Sequence, residues 1–160
     1  KAIAISVPLD LGNSCDQISK TLFGLYTRRF LKSLRKKIEK KSLHFPTEFS
    51  VDKFSSIQTL RDFDNTFTGP LHGFCDAEEY YQVNSALQFL PYITLPTLVL
   101  NAKNDPFLSS TCYPETIAKK IKHVYFEYPK YGGHVGFKIE GRRKTYYSEL
   151  RAVEFICKDR

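Results

Sequence analysis

The chain has 160 residues, enough for one domain with a hydrophobic core, and its 42% hydrophobic and 26% charged content is typical of a water-soluble globular protein. No run approaches the roughly 18 uninterrupted apolar residues of a membrane span. We expect no signal peptide, because the apolar run at residues 2–7 is short and meets Pro8.

The sequence contains no methionine and begins inside an apolar, strand-like run. We therefore expect these residues to be the C-terminal part of a longer chain. The alternative is a complete protein whose initiator methionine has been removed.

The four cysteines are widely spaced and form no C-x-x-C pair, which favours reduced thiols in a cytoplasmic protein over a disulfide scaffold. His72 and Cys75 lack further ligands at suitable spacing, so we expect no metal site and no cofactor.

In the first half, residues 2–7 predict a strand buried on both faces, and residues 10–14 predict a loop. Apolar spacing over residues 17–41 predicts two amphipathic helices, bent near Gly24 or Thr27. A further helix is expected with Phe54, Ile57, Leu60 and Phe63 on one face.

Residues 62–74 are rich in helix breakers, and they precede a helix from Ala77 to about Asn84 that a capping box at Asp76 and Glu79 would begin. A short helical turn at residues 86–90 is expected to end before Pro91.

The second half predicts strands at residues 97–102 and 124–128, separated by a helix from about residue 114 to 121. The last helix is expected over about residues 144–157. Its inward residues are predicted to be Tyr146, Leu150, Val153 and Ile156.

Alternating strands and helices predict an α/β fold with a mainly parallel sheet. The long helical block is expected to be an insertion over the carboxyl edge of that sheet. The expected division is a core strand and loop at residues 1–13, a helical cap at 14–92, and a C-terminal α/β core at 93–160.

Residues 27–41 contain eight basic residues and one acidic residue, so this segment alone carries the net charge of +7. A solvated charged face is the simplest interpretation. A basic amphipathic helix from Arg28 to Lys41 also suits a weak contact with an anionic membrane, making the protein peripherally membrane-associated. Nucleic acid is not expected, because no recognised binding motif accompanies the charge.

Asp105 follows one predicted strand, and His134 lies in a Gly-Gly loop after the next. In a parallel sheet both would emerge at the carboxyl ends of neighbouring strands. The carboxylate could then accept a hydrogen bond from the imidazole, fix its tautomer and stabilise the imidazolium.

Several motifs in chain order resemble the YheT-like α/β-hydrolases, a family that includes the ABHD1 to ABHD3 type esterases and lipases. They are Val7-Pro8-Leu9-Asp10-Leu11, Phe63-Asp64, Pro70-Leu71-His72-Gly73-Phe74, Tyr80-Tyr81, residues 95–107 and Gly132-Gly133-His134-Val135-Gly136-Phe137. The resemblance implies an α/β-hydrolase fold with a helical cap and hydrolysis of carboxylic esters. It also implies that Asp105 is the triad acid and His134 the general base.

Two features depart from the family pattern. Tyr131 stands where a polar or histidine residue is expected, and no G-x-S-x-G nucleophile motif exists in the chain. Residues 12–16 have glycine and serine in place but lack the final glycine. The nucleophile and oxyanion hole are therefore expected upstream, which would leave these 160 residues inactive alone and residues 2–7 as an unpaired sheet edge.

The leading hypothesis is the C-terminal half of a serine carboxylester hydrolase acting on a short-chain or lipid ester. His72, Phe74 and Phe107 are candidates for lining its substrate pocket, although a structural role for His72 and core packing for the aromatic rings fit as well. The alternative is a non-catalytic, truncated hydrolase-like remnant that binds a lipid or a partner.

Overall fold

A three-stranded parallel sheet forms the centre of the fold in the computed structural model, which describes residues 1–139 and 145–158. Its strands are β1 (Ala2–Ile5), β2 (Thr97–Leu100) and β3 (Val124–Glu127), in the order β1-β2-β3. Leu98 of β2 lies opposite Ile3 on one side and Tyr125 on the other. The predicted α/β class with a parallel sheet is confirmed.

The chain folds into two compact units. Residues 1–10 and 86–160 form the sheet unit, and residues 11–85 form the helical unit, so the second interrupts the first in sequence. The expected domain boundaries at residues 14 and 92 stay a prediction.

The strand β2 is buried along its whole length, as expected for a strand in which three of four residues, Leu98, Val99 and Leu100, are apolar. Its neighbour β1 is only half-buried, so the prediction of burial on both faces is wrong for β1. Within the described residues β1 pairs with β2 alone, which leaves its other edge unpaired as expected. It ends at Ile5 rather than residue 7, because Ser6 adopts a positive φ of 52°.

The helical unit begins with α1 (Leu11–Lys20) and α2 (Leu25–Ser42). The expected break between them is confirmed at a kink over residues 21–24. The loop expected at residues 10–14 is wrong, because the Ser85 hydroxyl accepts a hydrogen bond from the Leu11 N–H at 3.1 Å and helix α1 starts there. In the described part of the chain, no helix combines the length and apolarity needed to cross a bilayer.

The single helix expected around Phe54 and Phe63 is wrong. Phe54 lies in a 3₁₀-helix (Val51–Ser56), the chain is extended at Ile57, and α3 (Leu60–Phe63) begins at a capping box formed by Thr59 and Asp62. Phe54, Ile57 and Phe63 are nevertheless buried together, as predicted. Leu60, expected on the same face, packs instead against the cluster of Cys15, Ala77 and Tyr81.

The breaker-rich residues 62–74 are largely helical. A π-helical turn (Asp64–Thr68) leads into α4 (Gly69–Leu71). The Gly69 N–H bonds to the Asp64 carbonyl, and Pro70 occupies a first-turn position where its missing N–H costs little.

Helix α5 (Ala77–Asn84) is confirmed, and the Asp76 side chain accepts its Glu79 N–H at 2.8 Å. The Glu79 carboxylate reaches the N–H of Cys75 rather than that of Asp76, so the capping box is only half formed. The following 3₁₀-helix (Ala86–Tyr92) runs through Pro91, so the predicted end before that proline is wrong.

Helices α6 (Glu115–Ala118) and α7 (Tyr147–Cys157) complete the sheet unit, and α6 is shorter than predicted. Residue 144, the expected start of the last helix, lies outside the described residues. The predicted inward face of α7 is wrong: its buried residues are Ser148 and Phe155. The four residues expected inside, Tyr146, Leu150, Val153 and Ile156, are exposed.

Candidate active site

Asp105 lies in the turn after β2, where its N–H bonds to the Ala102 carbonyl at 3.1 Å. Its side chain is 0% exposed. One carboxylate oxygen, Oδ1, accepts the N–H of Phe107 at 2.9 Å, and the other, Oδ2, lies 3.0 Å from Nδ1 of His134. A buried carboxylate is therefore held by a backbone donor on one side and an imidazole on the other.

His134 lies in the loop after β3, and the sheet brings it to Asp105 as the strand order predicted. Its side chain is 35% exposed. Because an ionised carboxylate can only accept, Nδ1 carries the proton in this pair. That leaves Nε2 as the nitrogen that can take a proton from a third group.

Two side chains that the sequence analysis did not single out hold the backbone around His134. The Asn104 carboxamide oxygen accepts the N–H groups of both Gly132 and Gly133, each at 2.9 Å. The Ser6 hydroxyl accepts the N–H of Val135, also at 2.9 Å. Hydrogen bonds therefore hold the backbone both before and after His134.

Close packing explains one of the loop glycines. A Cβ on Gly132 would lie 2.7 Å from the Phe137 ring and 2.8 Å from the Ala102 Cβ, distances that no side chain could occupy. Gly133 adopts a φ of 58°, a left-handed conformation that favours glycine.

Asn101 bonds to the backbone of Val7, the residue after Ser6. It is fully buried, and its side chain accepts the Val7 N–H at 2.9 Å and donates to the Val7 carbonyl at 3.1 Å and the Cys112 carbonyl at 3.3 Å. The end of β1 is therefore fastened to β2 next to the residue that holds the His134 loop.

Comparison with known proteins identifies relatives of this chain. The chain is 31% identical over 140 residues to YheT of Escherichia coli, covering 85% of this chain and 40% of YheT. It is 30% identical over 155 residues to the monoacylglycerol lipase of Saccharomyces cerevisiae, covering 92% and 34%. The chain belongs to the YheT-like family of α/β-hydrolases.

Another relative is phospholipase ABHD3 of Bos taurus, 32% identical over 132 residues, with 81% of this chain and 31% of the relative covered. The YheT-like chain spans less than half the length of each of these curated relatives. No family model matches it, and no solved structure matches it closely. Its parallel sheet with helices is consistent with part of an α/β-hydrolase fold.

The candidate pocket residues of this YheT-like chain fall into two groups. Phe107 lies beside the candidate site, with its ring centroid 4.6 Å from that of His134. His72 and Phe74 belong to the helical unit, where each packs against Tyr80 at 6.2 and 5.5 Å between ring centroids. Their contribution to a substrate pocket stays a prediction.

Tyr113 braces the turn that carries Asp105. Its hydroxyl donates to the Ala102 carbonyl at 2.6 Å. Burial first, and then the negative charge of Asp105, raises the pKa of Tyr113 to about 12. The phenol therefore stays protonated at neutral pH and keeps donating.

No sequence motif for a hydrolase nucleophile accompanies Asp105 and His134. The 160-residue sequence contains no G-x-S-x-G motif, and Ser14, which follows Gly12 at the right spacing, is buried inside α1. In the described residues no group of three or more His, Cys, Asp or Glu side chains could hold a metal ion.

Proposed function

We propose that this chain supplies the acid and base of a serine carboxylester hydrolase, with His134 as general base and Asp105 orienting it. The observation that carries the proposal is the 3.0 Å contact between His134 Nδ1 and a fully buried Asp105 carboxylate. The monoacylglycerol lipase and phospholipase relatives support the class of reaction.

In the proposed reaction, a serine hydroxyl gives its proton to Nε2 of His134 while its oxygen attacks the ester carbonyl carbon. The resulting imidazolium is stabilised by Asp105. Collapse of the tetrahedral intermediate breaks the bond to the alcohol, which leaves with the proton from Nε2. Water, deprotonated by the same nitrogen, then hydrolyses the acyl-enzyme and regenerates the serine.

We propose that this serine lies outside the 160 residues, in a segment that precedes β1. The chain covers only 31% to 40% of the relatives' lengths, which leaves room for such a segment. Its own residues would then show no serine-dependent activity, since His134 would have no nucleophile to activate.

The substrate we propose is a short-chain or lipid ester. Phe107 provides an apolar surface against the imidazole, and relatives are named for lipid substrates. Rates on p-nitrophenyl esters of increasing acyl length would measure the preference, and equal rates on amide and ester substrates would contradict it.

Fluorophosphonate labelling of the protein encoded by the whole reading frame tests the catalytic roles. We expect His134→Ala to abolish labelling and Asp105→Asn to lower kcat by as much as roughly 10⁴-fold, because the imidazole would lose its oriented tautomer. His123→Ala is the matched control, since His123 is exposed before β3 in the same unit, and it should label normally.

Full labelling and esterase activity in His134→Ala would overturn the proposed role. A reading frame with no serine elbow, together with an unreactive parent protein, would favour the non-catalytic remnant instead.

We propose a cytoplasmic location for the protein, supported by the free thiols of its four cysteines. Cell fractionation with a thiol-reactive probe tests this, and quantitative disulfide formation in the isolated native protein would contradict it.

A further inference from the structure

The kink between α1 and α2 places large apolar side chains in water. Leu22, Phe23 and Gly24 all have positive φ angles, of 47°, 53° and 76°. Cβ sterics disfavour this conformation for leucine and phenylalanine. Phe23 is 96% exposed, Leu22 58% and Leu25 57%. We call Leu22, Phe23 and Leu25 the apolar tip.

The conformation of the tip is held by a basic side chain. The Arg28 guanidinium donates to the Phe23 carbonyl at 3.1 Å. This contact keeps Phe23 turned outward at the N-terminal end of α2. Since the fold gains no burial from Phe23, its exposure points to contact with something outside the chain.

A row of basic residues continues from the tip along the outer face of α2. Residues separated by three or four positions share one helix face, and the row begins at Leu25 of the tip. Its basic members are Arg29, Lys32, Lys36 and Lys40, all exposed. We call these four residues the basic stripe.

The opposite face of α2 is turned inward, with Thr27 and Ile38 buried. The acidic residue Glu39 is already paired with Arg35 at 3.1 Å. No member of the basic stripe forms an ion pair within the described residues, so four positive charges face solvent beside an apolar tip.

We propose that the apolar tip and the basic stripe dock the protein onto an anionic lipid bilayer. The tip would enter the boundary between headgroups and acyl chains, and the stripe would lie along anionic headgroups. The apolar tip distinguishes this occupant from nucleic acid, because a phosphate backbone would satisfy the stripe but leave Phe23 and Leu22 in water. The proposal does not depend on catalysis by His134.

Vesicle flotation of the full-length protein tests the docking, with His134→Ala as the background so that lipid hydrolysis cannot confuse the result. Phosphatidylcholine vesicles with and without phosphatidylserine are compared at low and high salt. We expect binding that requires phosphatidylserine and weakens with salt, because exposed charges are screened.

Replacing Arg29, Lys32 and Lys36 together by glutamine should weaken binding on the order of 100-fold, since each basic residue near an anionic surface contributes roughly fivefold. The matched control replaces the exposed Lys119, Lys120 and Lys122 of the sheet unit by glutamine. It removes the same charge and should weaken binding far less. Equal losses in the two triple variants would overturn the assignment to α2.

The tip has its own test. Phe23→Ser should weaken binding by at least tenfold, whereas Tyr92→Ser, which removes an aromatic ring that is 80% exposed in the other unit, should not. Thermal unfolding of each variant shows that the fold is retained.

Insertion can also be observed directly, because these 160 residues contain no tryptophan. The added fluorescence of Phe23→Trp should be quenched by brominated acyl chains. Absence of quenching, equal binding to neutral vesicles, or binding to DNA but not to vesicles would each overturn the proposal.

Discussion

Replacing Asn104 with alanine is expected to lower the kcat of the proposed full-length hydrolase by about 5- to 30-fold. The substitution removes two hydrogen bonds of 2.9 Å from Gly132 and Gly133. Each such bond stabilises a structure by about 0.5–1.5 kcal/mol, and an exposed carboxamide belongs in the lower half of that range. The loss of about 1–2 kcal/mol would fall on the loop that orients His134, and about 1.4 kcal/mol corresponds to tenfold in rate.

Two measurements separate this positioning role from general destabilisation. Hydrogen exchange at the Gly132 and Gly133 amides should quicken in Asn104→Ala, while the unfolding midpoint hardly moves. The loss should fall on kcat more than on KM, because the imidazole acts on the nucleophile and not on substrate affinity.

Asn104→Asp provides the conservative variant, since a carboxylate oxygen can accept the same two N–H groups. It should restore the protection of the Gly132 and Gly133 amides against hydrogen exchange. Lys103→Ala is the neighbouring control, as its exposed ion pair with Glu115 at 3.7 Å contributes little. Unchanged kcat and unchanged exchange in Asn104→Ala would refute the reasoning.

Three further changes probe the same unit. Gly132→Ala should displace the loop from the Phe137 ring, which should lower the free energy of unfolding by about 1–3 kcal/mol and also lower kcat. A fully active variant would contradict this prediction. Asn101→Ala should lower the free energy of unfolding in urea by about 2–4 kcal/mol, because the part-buried Val7 N–H and carbonyl and the buried Cys112 carbonyl lose the Asn101 side chain as a partner. A loss below half that would argue against this role of Asn101. The pKa of Tyr113 is raised to about 12, so the stability that its phenol contributes is fully present below pH 10 and is lost as the pH rises toward 12. In Tyr113→Phe the free energy of unfolding should therefore fall less steeply between pH 10 and pH 12. A slope equal to that of the parent protein would contradict this prediction.

The elements that could be predicted from sequence are those whose cause is local. Three of the four residues of strand β2 are apolar, and the strand is buried throughout. Helix α5 begins where Asp76 can cap it. The start of α1 could not be read, because the group that receives the Leu11 N–H is Ser85, far along the chain.

The prediction of which face of α7 is buried was wrong for a related reason. Apolar periodicity favoured the Leu150 side as the buried one. In the structure Phe155 is buried instead. Arg151, which lies on the same helix face as Phe155, binds Glu127 of β3 through contacts of 2.9 Å and 2.5 Å. An ion pair between a helix and a strand leaves no periodic signal, so hydrophobic spacing alone selected the wrong face.

The candidate site likewise contains residues that could be predicted from the sequence and residues that could not. Strand order was enough to bring Asp105 and His134 together, because both residues follow neighbouring parallel strands. Asn104 carried no such signal, because the N–H groups that its side chain accepts belong to Gly132 and Gly133, in a loop much later in the chain. Ser6 carried none, because its role depends on a positive φ at the end of β1 and on a loop formed much later in the chain.

Backbone strain links the two proposals. Across the described residues, the non-glycine residues with positive φ fall into two groups. Ser6, Val135 and Phe137 surround the His134 loop, and Leu22 and Phe23 form the apolar tip. Each such residue costs on the order of 1–3 kcal/mol and persists only where its surroundings or its function require it.

The two groups differ in what compensates the strain. Around His134 the hydrogen bond from Val135 to Ser6 and the 2.8 Å bond from the Phe137 N–H to the Gly132 carbonyl offset the strain. At the apolar tip, the Phe23 carbonyl accepts from Arg28 and the Leu22 carbonyl accepts from the Leu25 N–H. Phe23→Gly should therefore leave the unfolding free energy within about 1 kcal/mol of the parent, because relief of the left-handed strain offsets the greater chain entropy of glycine. The same variant should lose vesicle binding. A large loss of stability would show that Phe23 serves the fold, and the membrane role of the tip would then lose its main support.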